Sequence, residues 1–155
     1  MDLLAKLAGS YILVNTTAWN NGTELPNSLG NNYTGILTYT RTGWMSANLA
    51  STDAEFSPQN ITWPPRENNS DTDWLLAAKH ALSYAGQLSV SDAYPATEEE
   101  GQLIHGPLTV SSLPSWRGTL QLRNYTVYKR DDGVFLKIWA YRGDFKTHIW
   151  WKRLD

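Results

Sequence analysis

The sequence contains no cysteine and only three Phe, three His and two Met among 155 residues. Without cysteine there is no disulfide framework, thiolate zinc site, iron–sulfur cluster or cysteine nucleophile. Charge of neither sign dominates. Thirteen Lys and Arg stand against fifteen Asp and Glu, a formal net charge of -2. A nucleic-acid binder is expected to carry a basic excess instead. No stretch approaches the roughly 18 apolar residues of a membrane-spanning helix, so no membrane partner is expected. Residues 1–14 lack the early positive charges, apolar run and processing site of a secretory leader. A cytoplasmic protein is therefore expected. The three His are scattered, without carboxylates at ligand spacing, so no metal site is expected. No Gly-x-Gly-x-x-Gly, P-loop or nucleophile elbow occurs, and no cofactor is expected.

What is abundant is bulky and aromatic: eight Trp and eight Tyr. Each combines an apolar body with one polar handle. A chain rich in both either lines a wide cavity or presents sticky faces. Six Asn-x-Ser/Thr triplets also occur, at Asn15, Asn21, Asn32, Asn60, Asn68 and Asn124. They are read as the by-product of a chain that uses Asn and Thr in turns and strands. A protein without a leader does not meet the glycosylation machinery.

The length fits a single domain, residues 1–155. Most of it reads as short β segments between turn signals. Strands are expected over 10–19, 34–41, 44–50, 86–91, 102–105, 108–112, 116–129, 134–141 and 144–153. One helix is expected over 71–85, capped by Ser70 or Asp71 and stopped by Gly86. Trp74, Ala77, Ala78, Ala81, Leu82 and Ala85 fall on one face of it. The expected fold is all-β: an antiparallel up-and-down barrel of about eight to ten strands, with one short helix covering an end.

Several segments, in order along nearly the whole chain, resemble the lipocalin-like domain family. They are Leu7-Ala8-Gly9-Ser10-Tyr11, the run from Gly35 to Ala47, and Ser83-Tyr84-Ala85-Gly86. The His105 strand, Pro114-Ser115-Trp116-Arg117-Gly118 leading to Gln121 and Arg123, and Trp151-Lys152-Arg153 complete the set. One position departs from the family pattern. Tyr11 stands where the family has a Trp that closes the base and stacks on an Arg of the last strand, here Arg153. A Tyr–Arg stack is physically sensible. The resemblance implies a barrel that binds a small apolar molecule. Fungal members of this kind are associated with natural-product biosynthesis, where small non-redox folds act as cyclases, isomerases or dehydratases.

Alternation along strands assigns faces. Phe145, Thr147, Ile149 and Trp151 share the inward face, so Lys146, His148, Trp150 and Lys152 point out. His80, on the polar flank of the helix, is expected in solvent. Leu103 is the natural inward residue of its strand, and His105 alternates with it. With an unperturbed pKa near 6.5, His105 is the best general acid/base available. Tyr39 alternates with Leu37 and shares its inward face. Arg123 is ambiguous. Leu120 and Leu122 on the opposite face send it outward, whereas the family pattern after Trp116 argues for the lumen. An inward Arg needs a partner such as a ligand carboxylate, enolate or carbonyl.

The expected catalytic set is His105, Arg123 and Tyr39. The expected ligand-binding set is Leu37, Met45, Trp74, Tyr84, Leu103, Trp116, Gln121 and Trp151. Here Trp116 gates the mouth, while Trp74 and Tyr84, on the helix, cover one end. Three readings compete. The first is an enzyme that isomerises or cyclises an apolar intermediate, largely by orientation. The second is a carrier of a small hydrophobic ligand. The third is a structural domain, for which an outward patch of Phe135, Trp139, Tyr141 and Trp150 suggests a homodimer.

Overall fold

The computed structural model describes residues 2–155. Nine antiparallel strands run β1 (Gly9–Asn20), β2 (Thr23–Glu24), β3 (Tyr33–Tyr39), β4 (Trp44–Ser51), β5 (Ala81–Val90), β6 (Glu100–Ser111), β7 (Gln121–Arg130), β8 (Gly133–Arg142) and β9 (Phe145–Arg153). Their spatial order is β2-β1-β3-β4-β5-β6-β7-β8-β9, and β1 also pairs with β9. That last pairing closes eight strands into an up-and-down barrel. β2 is an appended two-residue hairpin partner, made by a tight turn in which Asn21 (φ 52°) and Gly22 (φ 78°) both take positive φ. This is the Asn-Gly hairpin geometry whose twist matches the strands.

The helices are short. α1 (Leu3–Leu7) is capped by Asp2, whose carboxylate accepts from the Ala5 amide. α2 (Asp71–Lys79) is capped by Ser70, whose side chain accepts from the Asp73 amide. Neither length is what the sequence suggests. α1 was not expected at all, and α2 stops well before Ala85. The expected apolar face of a longer helix is therefore split. Ala81, Leu82 and Ala85 lie on β5, where they pair with Ala50, Leu49 and Ser46 of β4. Alanine is the best helix former, but intrinsic propensity is a weak prior and strand pairing overrides it here. No residue of α2 is buried.

Two further boundaries move. The expected strands 102–105 and 108–112 are one strand, β6, irregular where it crosses Gly106. Gly106 has φ +139°, and a Cβ there would collide with the Thr119 carbonyl. The strand expected from Trp116 begins at Gln121, because Pro114–Trp116 forms a turn of 3-10 helix.

The base of the barrel is closed by α1 and Tyr11. Leu7 and Tyr11 are both buried, and the Tyr11 hydroxyl donates to the Leu7 carbonyl at 2.7 Å. The Arg153 guanidinium lies 5.7 Å from the Tyr11 ring centroid and donates to the Lys6 and Ala8 carbonyls. The stack expected of Tyr11 and Arg153 is thus present.

A bulge in β1 decides what the rest of the lumen is lined with. Leu13 pairs with Trp151, but Asn15 pairs with Trp150, so Val14 is the extra residue. Before it, Tyr11 and Leu13 point inward. After it, Thr16 and Ala18 do, as a change of phase requires.

The outer wall accounts for much of the aromatic surplus. Phe135, Trp139, Tyr141 and Trp150 point outward; alternation assigns this for Trp150 and leaves the other three open, since both faces of β8 are largely apolar. They do not form a bare patch. Arg130 lies over Tyr128, Phe135 and Trp150, Lys137 over Trp150, Lys146 over Tyr141 and Lys152 over Phe135, all within 6 Å. Phe135 is left only 7% exposed and Tyr141 52%. The alkyl stems of the cations cover the rings and their charges keep the surface wet. His148 also points outward but is not a free surface histidine. It packs edge-on to Trp19 at 4.9 Å. Burial first, then Lys137 and Lys146, lower its pKa. His80 likewise is not free in solvent. It stacks on Phe56 with centroids 3.7 Å apart.

Candidate functional site

The lumen holds a cavity of about 190 Å³ that opens at the end opposite α1. A neighbouring cavity of about 280 Å³ continues it toward the loop carrying Leu25, Pro26 and Asn27. Thr16, Leu49, Leu82, Phe145, Thr147 and Ile149 line both, so they form one trough.

The inner cavity has two unlike walls. Leu37, Leu49, Ile149 and Trp151, from β3, β4 and β9, are apolar or aromatic. Polar groups come from four adjacent strands: Tyr84 on β5, His105 on β6, Arg123 on β7 and Arg142 on β8. Three of them alternate with apolar inward neighbours, Leu82 and Leu88 around Tyr84, Leu103 beside His105, Ile138 and Ala140 before Arg142, whereas Arg123 lies between Gln121 and Tyr125.

His105 is the centre of this wall and is 1% exposed. Its Nε2 lies 2.7 Å from the Tyr39 hydroxyl and its Nδ1 3.4 Å from the Tyr84 hydroxyl. Burial, then the nearby Arg123 charge, push its pKa down to about 3. The imidazole is therefore neutral at physiological pH, with one nitrogen donating and one accepting. Burial raises both tyrosine pKa values, Tyr39 well above the ordinary range. Arg123 opposes burial at Tyr84. Tyr39 is fully buried and has no other hydrogen-bond partner among the described residues, so its O–H donates to Nε2. The ring proton is then assigned to Nδ1, facing the Tyr84 oxygen. That leaves the Tyr84 proton free to point into the lumen.

Gln121 organises the two arginines. Its Nε2 donates to Thr119 Oγ1 at 2.8 Å, and that hydroxyl donates to the Trp116 carbonyl at 2.6 Å. The Gln121 carbonyl oxygen is thereby turned toward the guanidiniums. It accepts from Arg142 Nη2 at 2.9 Å and from Arg123 Nη2 at 3.5 Å. Arg123 also lies 5.9 Å from the Trp116 ring centroid, and Trp116 packs edge-on to Tyr84 at 5.5 Å.

Of the expected site residues, His105, Arg123, Leu37, Tyr84, Trp116 and Trp151 meet at the inner cavity. Arg123 faces the lumen, and the residues alternating with it at the start of β7 show apolar side chains to solvent instead. Leu120 is 57% and Leu122 51% exposed. Tyr39 stands behind His105, and Gln121 behind the arginines. Met45 and Leu103 are buried in the core but do not line the cavity. Trp74 is half-buried on α2, away from both cavities. Tyr84 is not on the helix. It comes from β5, because the helix ends at Lys79. Arg142 was missed. Its signal is alternation with Leu136, Ile138 and Ala140, next to the Gly143 turn.

A closed antiparallel barrel with one open end and a largely apolar lumen is a fold suited to binding a small hydrophobic molecule. The chain belongs to the lipocalin-like domain family, whose model matches residues 8–154. No curated protein and no solved structure matches the chain. No helix among the described residues is long and apolar enough to cross a membrane.

Proposed function

We propose that the protein is a cofactor-independent cytoplasmic enzyme that takes an apolar natural-product intermediate, of polyketide or terpenoid type, into the lumen and isomerises or cyclises it. The observation that carries this reading is the cluster Tyr84–His105–Arg123 on one wall of an otherwise apolar cavity. A carbonyl oxygen placed against that wall would meet the Arg123 guanidinium and the free Tyr84 proton. Fixed donors of this kind stabilise charge developing on oxygen in the transition state. The facing apolar wall holds the carbon skeleton in one conformation.

The expected acid/base role of His105 is recast. A ring with a pKa near 3 is a poor base at neutral pH. In this reading His105 orients Tyr84, and Tyr39 orients His105. Both are positioning residues, and Arg123 and Tyr84 are the groups that touch substrate. The low basicity of His105 also favours the second reading, a carrier that binds the same ligand without changing it. Self-association through the outer aromatic face belongs to the same proposal. Its support is the exposed Tyr141 ring beside Trp139.

Deletion of the gene in its native host tests the enzyme reading by mass spectrometry of the metabolites. One product should disappear while an isomer of it accumulates. Purified protein should convert that compound, and the Arg123→Ala variant should do so at least about a hundredfold more slowly. An unchanged metabolite profile, or conversion as fast without protein, would leave the carrier reading.

A further inference from the structure

Arg123 and Arg142 are the charged side chains of the inner cavity, and both are cations. Among the described residues neither has a carboxylate within salt-bridge distance, the ion pairs there being Lys6–Glu98 and Arg153–Asp155. The chain as a whole is slightly acidic, with a net charge of -2. The lumen therefore concentrates positive charge against the sign of the molecule. Two guanidiniums that converge on a single amide oxygen repel one another, and a neutral amide compensates them only in part. Gln121 is itself 6% exposed and held in place from behind by Thr119, so its oxygen is a fixed anchor. The rest of each fork is left without an anionic partner.

We infer that the molecule bound in the lumen is an apolar carboxylic acid, and that its carboxylate seats at the mouth on Arg142 and Arg123. This rests on the ligand-binding reading above and narrows it to acids. A guanidinium fork matches the two oxygens of a carboxylate, and such charge-assisted pairs are stronger than neutral hydrogen bonds. Arg142 lies beside the Gly143 turn and is exposed, whereas Trp151, on the facing wall, is buried. The acid head thus stays near water while the tail runs inward past Ile149 to Trp151 and Leu37. A carbonyl a few atoms from the carboxylate would then fall beside Arg123 and Tyr84.

The test compares dodecanoate with its methyl ester by isothermal titration and by quenching of tryptophan fluorescence, which Trp116 and Trp151 report from the lumen. Dodecanoate should bind about tenfold tighter or more, with the preference shrinking as salt is raised. Two variants remove the preference by opposite routes. Arg142→Gln deletes one fork. Gln121→Glu supplies an internal carboxylate of the same shape to both arginines. In each, the preference for the acid should collapse, dodecanoate losing about tenfold or more in affinity relative to the ester. A cooperative thermal transition and retained far-ultraviolet circular dichroism separate each variant from one that merely misfolds. Equal binding of acid and ester to the wild type would overturn the carboxylate assignment alone. Binding of neither would overturn the ligand-binding reading, and the inference with it. A preference that survives both variants would place the carboxylate elsewhere, for instance at Lys79 on the outer cavity, and would also overturn the inference.

Discussion

The Tyr39 hydroxyl lies 2.7 Å from Nε2 of His105, on the side of the ring away from the lumen. This one contact fixes which ring nitrogen faces Tyr84 with a proton. Tyr39→Phe should cost about 1–3 kcal/mol, because it strands a buried imidazole nitrogen. It should also release the tautomer. Nitrogen-15 NMR of the imidazole should show a single Nδ1–H form in the wild type and a mixture in the variant. An unchanged spectrum would mean that Tyr84, not Tyr39, sets the tautomer.

His105 makes stability depend on pH. The folded protein protonates it near pH 3, against 6.5 for the unperturbed group. Between those values the unfolded chain binds the extra proton, so stability rises with pH across the window. On acidification below pH 6.5 it should fall, by up to about 1.4 kcal/mol per pH unit. Above pH 6.5 this contribution is flat. His105→Asn removes the titration, and its urea-unfolding free energy should vary less between pH 6.5 and 4. Parallel curves for the two proteins would show that His105 is not the linked group.

Leu82 lines both cavities and marks the passage between them. Leu82→Trp places a large ring in open space rather than in a packed core. Dodecanoate affinity should drop by about tenfold or more, with the far-ultraviolet circular dichroism of the barrel retained. Unaltered affinity would mean that ligands enter by another route.

Arg130 covers three rings of the outer wall, those of Tyr128, Phe135 and Trp150. Arg130→Ser should bare them and promote self-association. Sedimentation velocity over a range of concentrations should show a larger weight-average species than the wild type. Identical profiles would indicate that Lys137 and Lys152 suffice as cover.

The sequence was most legible where alternation was undisturbed. Phe145, Thr147, Ile149 and Trp151 face inward as their period requires, because β9 is paired on both sides throughout. Leu103 and His105 follow the same logic on β6. Legibility failed where polar residues took the inner face and apolar ones the outer. Leu120 and Leu122 disguised Arg123 in this way, and the family pattern was the better guide. It also failed from His80 to Ala85, where local helix preference yields to strand pairing from Ala81 onward. The bulge at Val14 has no Gly or Pro to announce it, so Thr16 could not be placed in the lumen. Arg142 was overlooked because both faces of β8 are rich in large apolar residues.

That bulge has a further consequence. It divides β1 into two stretches that answer to different demands. Tyr11 and Leu13 belong to the plug at the base, and Thr16 and Ala18 to the open trough. Because the phase change lies between them, the trough can be enlarged or narrowed at Thr16 or Ala18 without disturbing the Tyr11–Arg153 closure. One strand thus carries a permanent floor and an adjustable doorway, and ligand preference can be retuned there at little risk to the fold.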